Sequence, residues 1–428
     1  MRVLVLGGYG LIGLEAARRL ARGHELIALG RSSAYGKRVL PEARWFEADI
    51  AALDTAEKWA PLLDGVDAVV NAAGALQDGA RDNLAALQDV AIRALIEACE
   101  AGNVRRFVQI SAPGADASAN TAFLRTKASA DEALRRSRLE WVILRPGLVW
   151  ARTASGGTAL VRMLAAFPFV QPLMLSDARV QMVDIDDVSD AIAASVEGAI
   201  PSRTDADLVE PSPRTLAEIV SAVRAWHGYA PARWRFEAPG FIGGAAAWIA
   251  DAAGWLGWRS PLRSTSLRSL EHGVTGDGAA WRDAGGAAPA RFEESLSRRP
   301  ATRQDRVFAR AQLVLPLVIA CLAAFWIASG LIGLAHIDAA AGVIAGAVHE
   351  PQLYVIGGAL ADIALGVALL WRPWARAACF GMIVLTGAYL AAGTLMTPAL
   401  WADPLGPFVK TMPAAMLALV CATLLEER

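Results

Sequence analysis

Gly7, Gly10 and Gly13 recur at intervals of three in MRVLVLGGYGLIG, directly after the apolar run Val3 to Leu6. Glycines so placed let a strand turn sharply into a helix. They also admit a pyrophosphate to the first helical N–H groups, around Gly10, Leu11, Ile12 and Gly13, where the helix dipole favours negative charge. A second apolar run, Glu25 to Leu29, ends in Gly30-Arg31-Ser32. An acid at that point would hold the 2′-hydroxyl of an adenosine ribose; the cation Arg31 suits a 2′-phosphate instead. NADP(H) is therefore the expected cofactor, ahead of NAD(H). Asp184, Asp186 and Asp187 could hold a metal, but a strand running into a helix that they cap fits their spacing better. His336, Asp338, His349 and Glu350 read as a solvated loop rather than a metal site, and no metal is expected.

These residues need a scaffold. A third short strand is read at Arg44 to Glu47, leading into Ala48-Asp49-Ile50. A fourth, Val66 to Val70, ends in Asn71-Ala72-Ala73-Gly74. A helix around Arg81 to Glu100 and a fifth strand, Arg106 to Ile110, follow. Apolar strands alternating with helices predict an α/β fold, a doubly wound parallel-sheet Rossmann domain. Leu216 to Trp226 reads as its last helix.

Taken in order, the glycine turn, Asp49-Ile50, Asn71-Ala72-Ala73-Gly74, Ser111, Arg145-Pro146-Gly147 and Val183 to Val188 resemble the extended and atypical short-chain dehydrogenase/reductases, over roughly residues 1–230. The nucleotide-binding accessory subunit of respiratory complex I is similar. The resemblance implies that Asp49 and Ile50 flank an adenine, that Ala72, Ala73 and Gly74 line the cofactor, and that residues from Pro146 onward form a small substrate lobe. Trp150, Arg152, Gly156 and Gly157 would then shape a loop over the nicotinamide. Carbonyl reductases of this superfamily use Tyr-x-x-x-Lys on one helical face. The matching run here is Phe123-Leu124-Arg125-Thr126-Lys127. The lysine is retained, the tyrosine is phenylalanine, and Ser111 stands where the substrate oxygen is usually met. Ser111 and Lys127 are the candidate catalytic residues, with Lys127 also expected at the cofactor ribose. Two outcomes follow: reduction without the tyrosine, or a nucleotide that is only held.

From Tyr229 the composition shifts. Trp234, Trp248, Trp255, Trp258 and Trp281 crowd a segment rich in Gly, Ala and Arg. Phe241, Ala245, Trp248, Ala252 and Trp255 form one stripe, on a helix that either lies in a membrane interface or packs on the nucleotide domain. Residues 231–310 as a whole read as a basic, membrane-proximal linker. Four apolar stretches follow, Leu313 to Ala335, Leu353 to Trp371, Ala375 to Met396 and Leu405 to Leu425. Each approaches the roughly 20 residues that cross a bilayer as a helix. They resemble the DoxX-like membrane family and make 311–428 an all-α transmembrane domain. Arginines before the first stretch, Arg372 and Arg376 between the second and third, and Arg428 at the end leave the remaining loops without Lys or Arg. By the positive-inside rule the nucleotide domain and both termini are expected in the cytoplasm, at the cell inner membrane. Asp362 and Lys410 differ by about 6 Å in depth, so an intramembrane ion pair between them is expected.

The formal net charge of -1 leaves no basic excess for nucleic acid. The hydrophobic fraction of 55% reflects the C-terminal stretches. The four cysteines (Cys99, Cys321, Cys379, Cys421) show no metal spacing and read as reduced thiols. Val3 to Leu6 is too short for a signal-peptide core. Together these readings lead to an expected membrane-anchored NADP(H)-dependent oxidoreductase with a quinone, isoprenoid or lipid-like substrate. The alternative is a non-catalytic nucleotide-binding subunit or sensor with a membrane-complex partner.

Overall fold

The computed structural model describes residues 1–79, 82–237, 239–258, 260, 262–404 and 406–425. Arg81, Leu405 and Arg428, where elements or charges were expected, lie outside the described residues. Two compact units are present: residues 1–251 with 260–306, and residues 252–259 with 307–428.

The first unit is built on seven strands: β1 (Arg2–Leu6), β2 (Glu25–Gly30), β3 (Arg44–Glu47), β4 (Ala68–Asn71), β5 (Arg106–Ile110), β6 (Glu140–Pro146) and β7 (Thr204–Leu208). Their order is β7-β6-β5-β4-β1-β2-β3, and every pairing is parallel. The order reverses between β1 and β4, where Leu6 sits opposite Asn71. The β1 side chains alternate between the two faces. Val3 and Val5 pack with α1 (Leu11–Leu20), while Leu4 and Leu6 pack with α2 (Ala91–Ala101). The same two faces are completed by α3 (Ala122–Arg136) on the α2 side and α4 (Ile185–Glu197) on the α1 side. A sheet covered on both faces needs apolar residues at every strand position, which explains the continuous runs in the sequence.

The helix α1 begins at Leu11, because the turn ends on Gly10 and Gly13 is already helical. Before α2 the chain makes one π-helical turn, Ala86–Val90. After α5 (Leu216–Trp226) the first unit does not end. Short helices at Ala279–Asp283 and Phe292–Arg298 return to it, burying Trp281 in the sheet core and Phe292 in the small-lobe core. Residues 260–306 are therefore part of this unit rather than a linker: two aromatic anchors, too sparse to register as periodicity, hold them.

The second unit contains α7 (Arg303–Ala335, from Val307), α8 (Pro351–Leu370), α9 (Arg372–Met396) and α10 (Pro407–Leu424). All four are long and apolar enough to cross a membrane. Glycines bring them close: a Cβ on Gly330 would overlap the Ala359 carbonyl, and one on Gly393 would overlap the Phe408 ring. Asp362 lies buried among three of the helices. Its carboxylate accepts from Ser329 Oγ at 2.8 Å and Tyr389 Oη at 2.9 Å. It does not pair with Lys410, which is exposed. Similar depth was not enough to pair them: the Asp362 carboxylate is occupied by Ser329 and Tyr389, while Lys410 stays exposed.

Candidate functional site

Each sequence motif follows the C-terminal end of a parallel strand: Gly7 after β1, Arg31 after β2, Asp49 after β3, Ala72 after β4, Ser111 after β5, with Pro146 closing β6. That edge, at the β1/β4 reversal, is where doubly wound sheets bind ligands. Gly7 has φ +69°, and a Cβ there would stand 3.0 Å from Ala72 O. A Cβ on Gly13 would overlap the Gly7 carbonyl oxygen. Gly10 N–H donates to Gly7 O at 2.7 Å, and the first bond within the helix is Leu14 N–H to Gly10 O at 3.0 Å. The N–H groups of Leu11, Ile12 and Gly13 thus head the helix without intrahelical partners, and its first turn carries no acid. This cradle is open to an anion and closed to side chains, so it fits a dinucleotide pyrophosphate.

Beside it, Tyr9 stacks on Trp45 with centroids 5.7 Å apart and meets Tyr35 edge-on at 5.3 Å. A Cβ on Gly30 would collide with the Tyr9 ring. Arg31 is half-exposed and its Nη1 bonds Asp82 Oδ1 at 3.0 Å. Asp49 is exposed and caps the short 3-10 turn Ile50–Ala52, accepting from Ala51 N at 3.2 Å, while Ile50 is buried. Asn71 Nδ2 donates to Gln109 Oε1 at 2.8 Å, and its own Oδ1 accepts from Ala73 N at 3.1 Å. The loop Ala72-Ala73-Gly74 is fixed by that pair.

Thr121 caps α3, which carries Phe123, Lys127 and Asp131 on one face at intervals of four. Lys127 Nζ donates to Ile110 O at 2.8 Å and Ala73 O at 3.2 Å, tying the ends of β4 and β5 together. Burial pushes its pKa down to about 8, against the opposing pull of Asp131. A Cβ on Gly74 would stand 3.3 Å from this ammonium and 3.6 Å from Gln88 Oε1, a buried acceptor with no hydrogen-bond partner among the described residues. Ser111 Oγ donates to Asp131 Oδ2 at 2.6 Å. Asp131 is fully buried, and burial raises its pKa despite Ser111, Arg145 and Lys127. Arg145 Nη2 reaches the same oxygen at 3.4 Å and also binds Asp205 at 3.0 Å. Ser111 and Lys127 are thus brought into one buried network whose centre, Asp131, sequence reasoning overlooked. Its signal was the Lys127-x-x-x-Asp131 interval, the same spacing that picked out Phe123.

The small lobe departs from expectation. Trp150 is not on an open loop; it is fully buried, edge-on to Trp226 at 5.2 Å and to Phe292 at 5.4 Å. Arg162 lies over its ring at 4.4 Å and donates to Ala151 O at 2.6 Å and Arg152 O at 3.0 Å. An aromatic core formed by chain from both sides of α5 has claimed this tryptophan. Asp184 caps α4, accepting from Asp186 N at 2.9 Å, and takes both Arg299 Nη groups at 2.6 and 2.9 Å. Asp187 binds Arg298 at 2.9 Å. These carboxylates are caps and arginine receptors.

Residues 7–198 match the family model described as NAD(P)H-binding, and residues 323–419 match that of the DoxX-like family. No curated protein matches the chain. UDP-glucose 4-epimerase of Thermotoga maritima, solved with UDP-glucose, is 16% identical with a TM-score of 0.52, covering 73% of this chain and 100% of that one. The Bordetella bronchiseptica enzyme WbmG, solved with NAD, is 18% identical with a TM-score of 0.53, covering 69% and 92%. UDP-glucose 4-epimerase of Thermus thermophilus, also with NAD, is 20% identical with a TM-score of 0.52, covering 72% and 99%. At such identities the likeness is one of fold. The chain carries an NAD(P)-binding Rossmann domain followed by a DoxX-like domain whose helices are long and apolar enough to cross a membrane.

Proposed function

We propose that the protein is a membrane-anchored, NADP(H)-dependent oxidoreductase acting on a hydrophobic substrate such as a quinone, an isoprenoid or a lipid. The observation that carries this reading is Lys127, a buried ammonium with pKa about 8 at the cofactor edge of the sheet, hydrogen-bonded to Ser111's strand. The pyrophosphate would rest on Gly7, Gly10, Leu11, Ile12 and Gly13, the adenine between Asp49 and Ile50, and the remainder along Ala72, Ala73, Gly74 and Pro146. When bound, the nicotinamide supplies the hydride. Arg31 supports a 2′-phosphate: it follows β2 in place of the acid that would bind a ribose 2′-hydroxyl, and its guanidinium, though bonded to Asp82, stays half-exposed. Lys127 holds the ribose and provides a proton to the acceptor oxygen. Ser111 positions that oxygen and shares its own proton with Asp131. The four apolar helices support the substrate class, because an aqueous substrate needs no bilayer anchor. The arginine distribution supports a cytoplasmic nucleotide domain with both termini at the inner face of the cell inner membrane.

Phe123 favours a second reading. A phenylalanine in the proton donor's place suits a nucleotide-binding subunit or redox sensor of a membrane complex. The test is to purify the full chain in detergent, identify the nucleotide it binds, and follow NADPH oxidation with quinone, isoprenoid and lipid aldehyde acceptors. Turnover that Lys127→Met abolishes supports the oxidoreductase. Tight binding with no turnover across the panel supports the sensor.

A further inference from the structure

The helix α6 (Gly240–Trp255) is assembled the wrong way round for a helix that packs on a protein core. Its buried stripe is Gly243, Ala247, Ala250 and Gly254, all small. Its bulky residues point outward: Phe241 is 77% exposed, Trp248 74% and Ile249 62%. Aromatic exposure continues next to it. The strand Trp234–Glu237 pairs with Val170–Leu173, and Trp234, Phe236 and Phe169 are all more than half exposed. Met174, just beyond that strand, would meet a Cβ on Gly243, so strand pair and helix are neighbours. An exposed apolar surface of this size marks a contact with a protein or a lipid.

We propose that this surface is a monotopic lipid-contact face, with α6 lying in the bilayer interface. Three observations favour lipid over protein. The helix α7 that follows is long and apolar enough to cross a bilayer, which would make lipid a neighbour of this segment. The chain just past α6 is fastened to the ends of two spans: Leu256 O accepts from Arg372 N–H at 3.0 Å, and Trp258 Nε1 donates to Leu370 O at 2.7 Å. Tryptophans with nearby arginines are the composition of a membrane interface, and Arg233 lies over the Trp234 ring at 4.8 Å. The helix does not span. Its 16 residues reach about 24 Å, short of the roughly 30 Å hydrocarbon core. The helix is also held within the nucleotide-binding unit as far as Asp251. The strand before it pairs with Val170–Leu173, and Asp251 within it accepts from Gln77 Nε2 at 2.8 Å and Arg263 Nε at 3.2 Å.

The test uses the full chain in nanodiscs of equal phosphatidylcholine and phosphatidylglycerol, with nitroxide labels at Phe241→Cys and Trp248→Cys. The background is Cys321→Ala, since the other cysteines are buried. Leu317→Cys on α7 is the lipid reference and Arg138→Cys the water reference. Collision with oxygen is expected to exceed that with a water-soluble nickel chelate at least fivefold at both α6 positions, as at Leu317. Nickel collision matching Arg138 would show a water-facing helix and overturn the proposal. Low collision with both reagents would show a protein partner or a second copy on this face, and overturn it equally. Should a label at Trp248 disturb the helix, Ala245→Cys, exposed and small, carries the same expectation.

Discussion

Ser111 donates its hydroxyl to the buried carboxyl of Asp131 at 2.6 Å, and Arg145 approaches that same oxygen at 3.4 Å. One buried acid therefore joins the end of β5, the helix α3 and the end of β6. Removing it by Asp131→Ala leaves Arg145 and Ser111 short of an acceptor in a closed space. A loss of about 2 to 3 kcal/mol is expected for the nucleotide-binding unit, read as a lower urea midpoint for its proteolysis. Asp131→Asn keeps an acceptor for Ser111 and should lose roughly half as much.

The glycine turn is expected to be unforgiving at one position. In Gly13→Ala the new methyl group overlaps the Gly7 carbonyl oxygen. Calorimetric titration should show nucleotide affinity reduced at least tenfold, whichever nucleotide is used.

Arg31→Ala should separate the two nucleotides. NADPH loses a charge-assisted contact, and its affinity is expected to fall about tenfold. NADH affinity should stay within about twofold. Equal losses for both would assign Arg31 to holding the loop through Asp82.

Lys127 predicts a pH dependence of stability with a definite sign. Burial lowers its pKa from 10.5 in the unfolded chain to about 8. Between those values the unfolded state binds the extra proton, so stability rises with pH across the interval and the gain is lost as pH falls back through about 8. Comparing urea midpoints from pH 7.5 to pH 10, the wild type should gain on Lys127→Met throughout the rise. A parallel pair of curves would contradict the shift.

Within the apolar helices, Asp362 and Lys410 should behave oppositely. Asp362→Ala strips Ser329 and Tyr389 of their shared acceptor, and about 1 to 2 kcal/mol is expected to be lost from the bundle, seen as a lower melting temperature in detergent. Lys410→Gln should leave that temperature unchanged.

The strands were legible because buried parallel sheet leaves a simple trace: Val3 to Leu6 and Arg106 to Ile110 stand in the structure where the sequence placed them. Apolar helices are equally plain, although α7 begins at Arg303, ten residues before its apolar run. What escaped was whatever depends on contacts between distant segments. Trp281 and Phe292 anchor residues 260–306 to the first unit, yet each is a single aromatic among small and charged neighbours. Trp150 is placed by Trp226 and Phe292, which follow it by many residues. Asp131 was within reach, since it shares a helical face with Lys127, but its worth comes from Ser111 and Arg145 on other strands. Depth alone suggested Asp362 with Lys410; hydropathy does not say which helices pack together, and the carboxylate went to Ser329 and Tyr389.

Asp362 also dictates something about how the bundle is made. Its partners lie on either side of it in the chain, Ser329 on α7 and Tyr389 on α9. When α8 leaves the ribosome, Ser329 has already been synthesised and Tyr389 has not. The acid can be half-satisfied at that moment and no more, and a polar group left short of a donor is costly in apolar surroundings. The carboxylate is fully partnered only when all three helices are together.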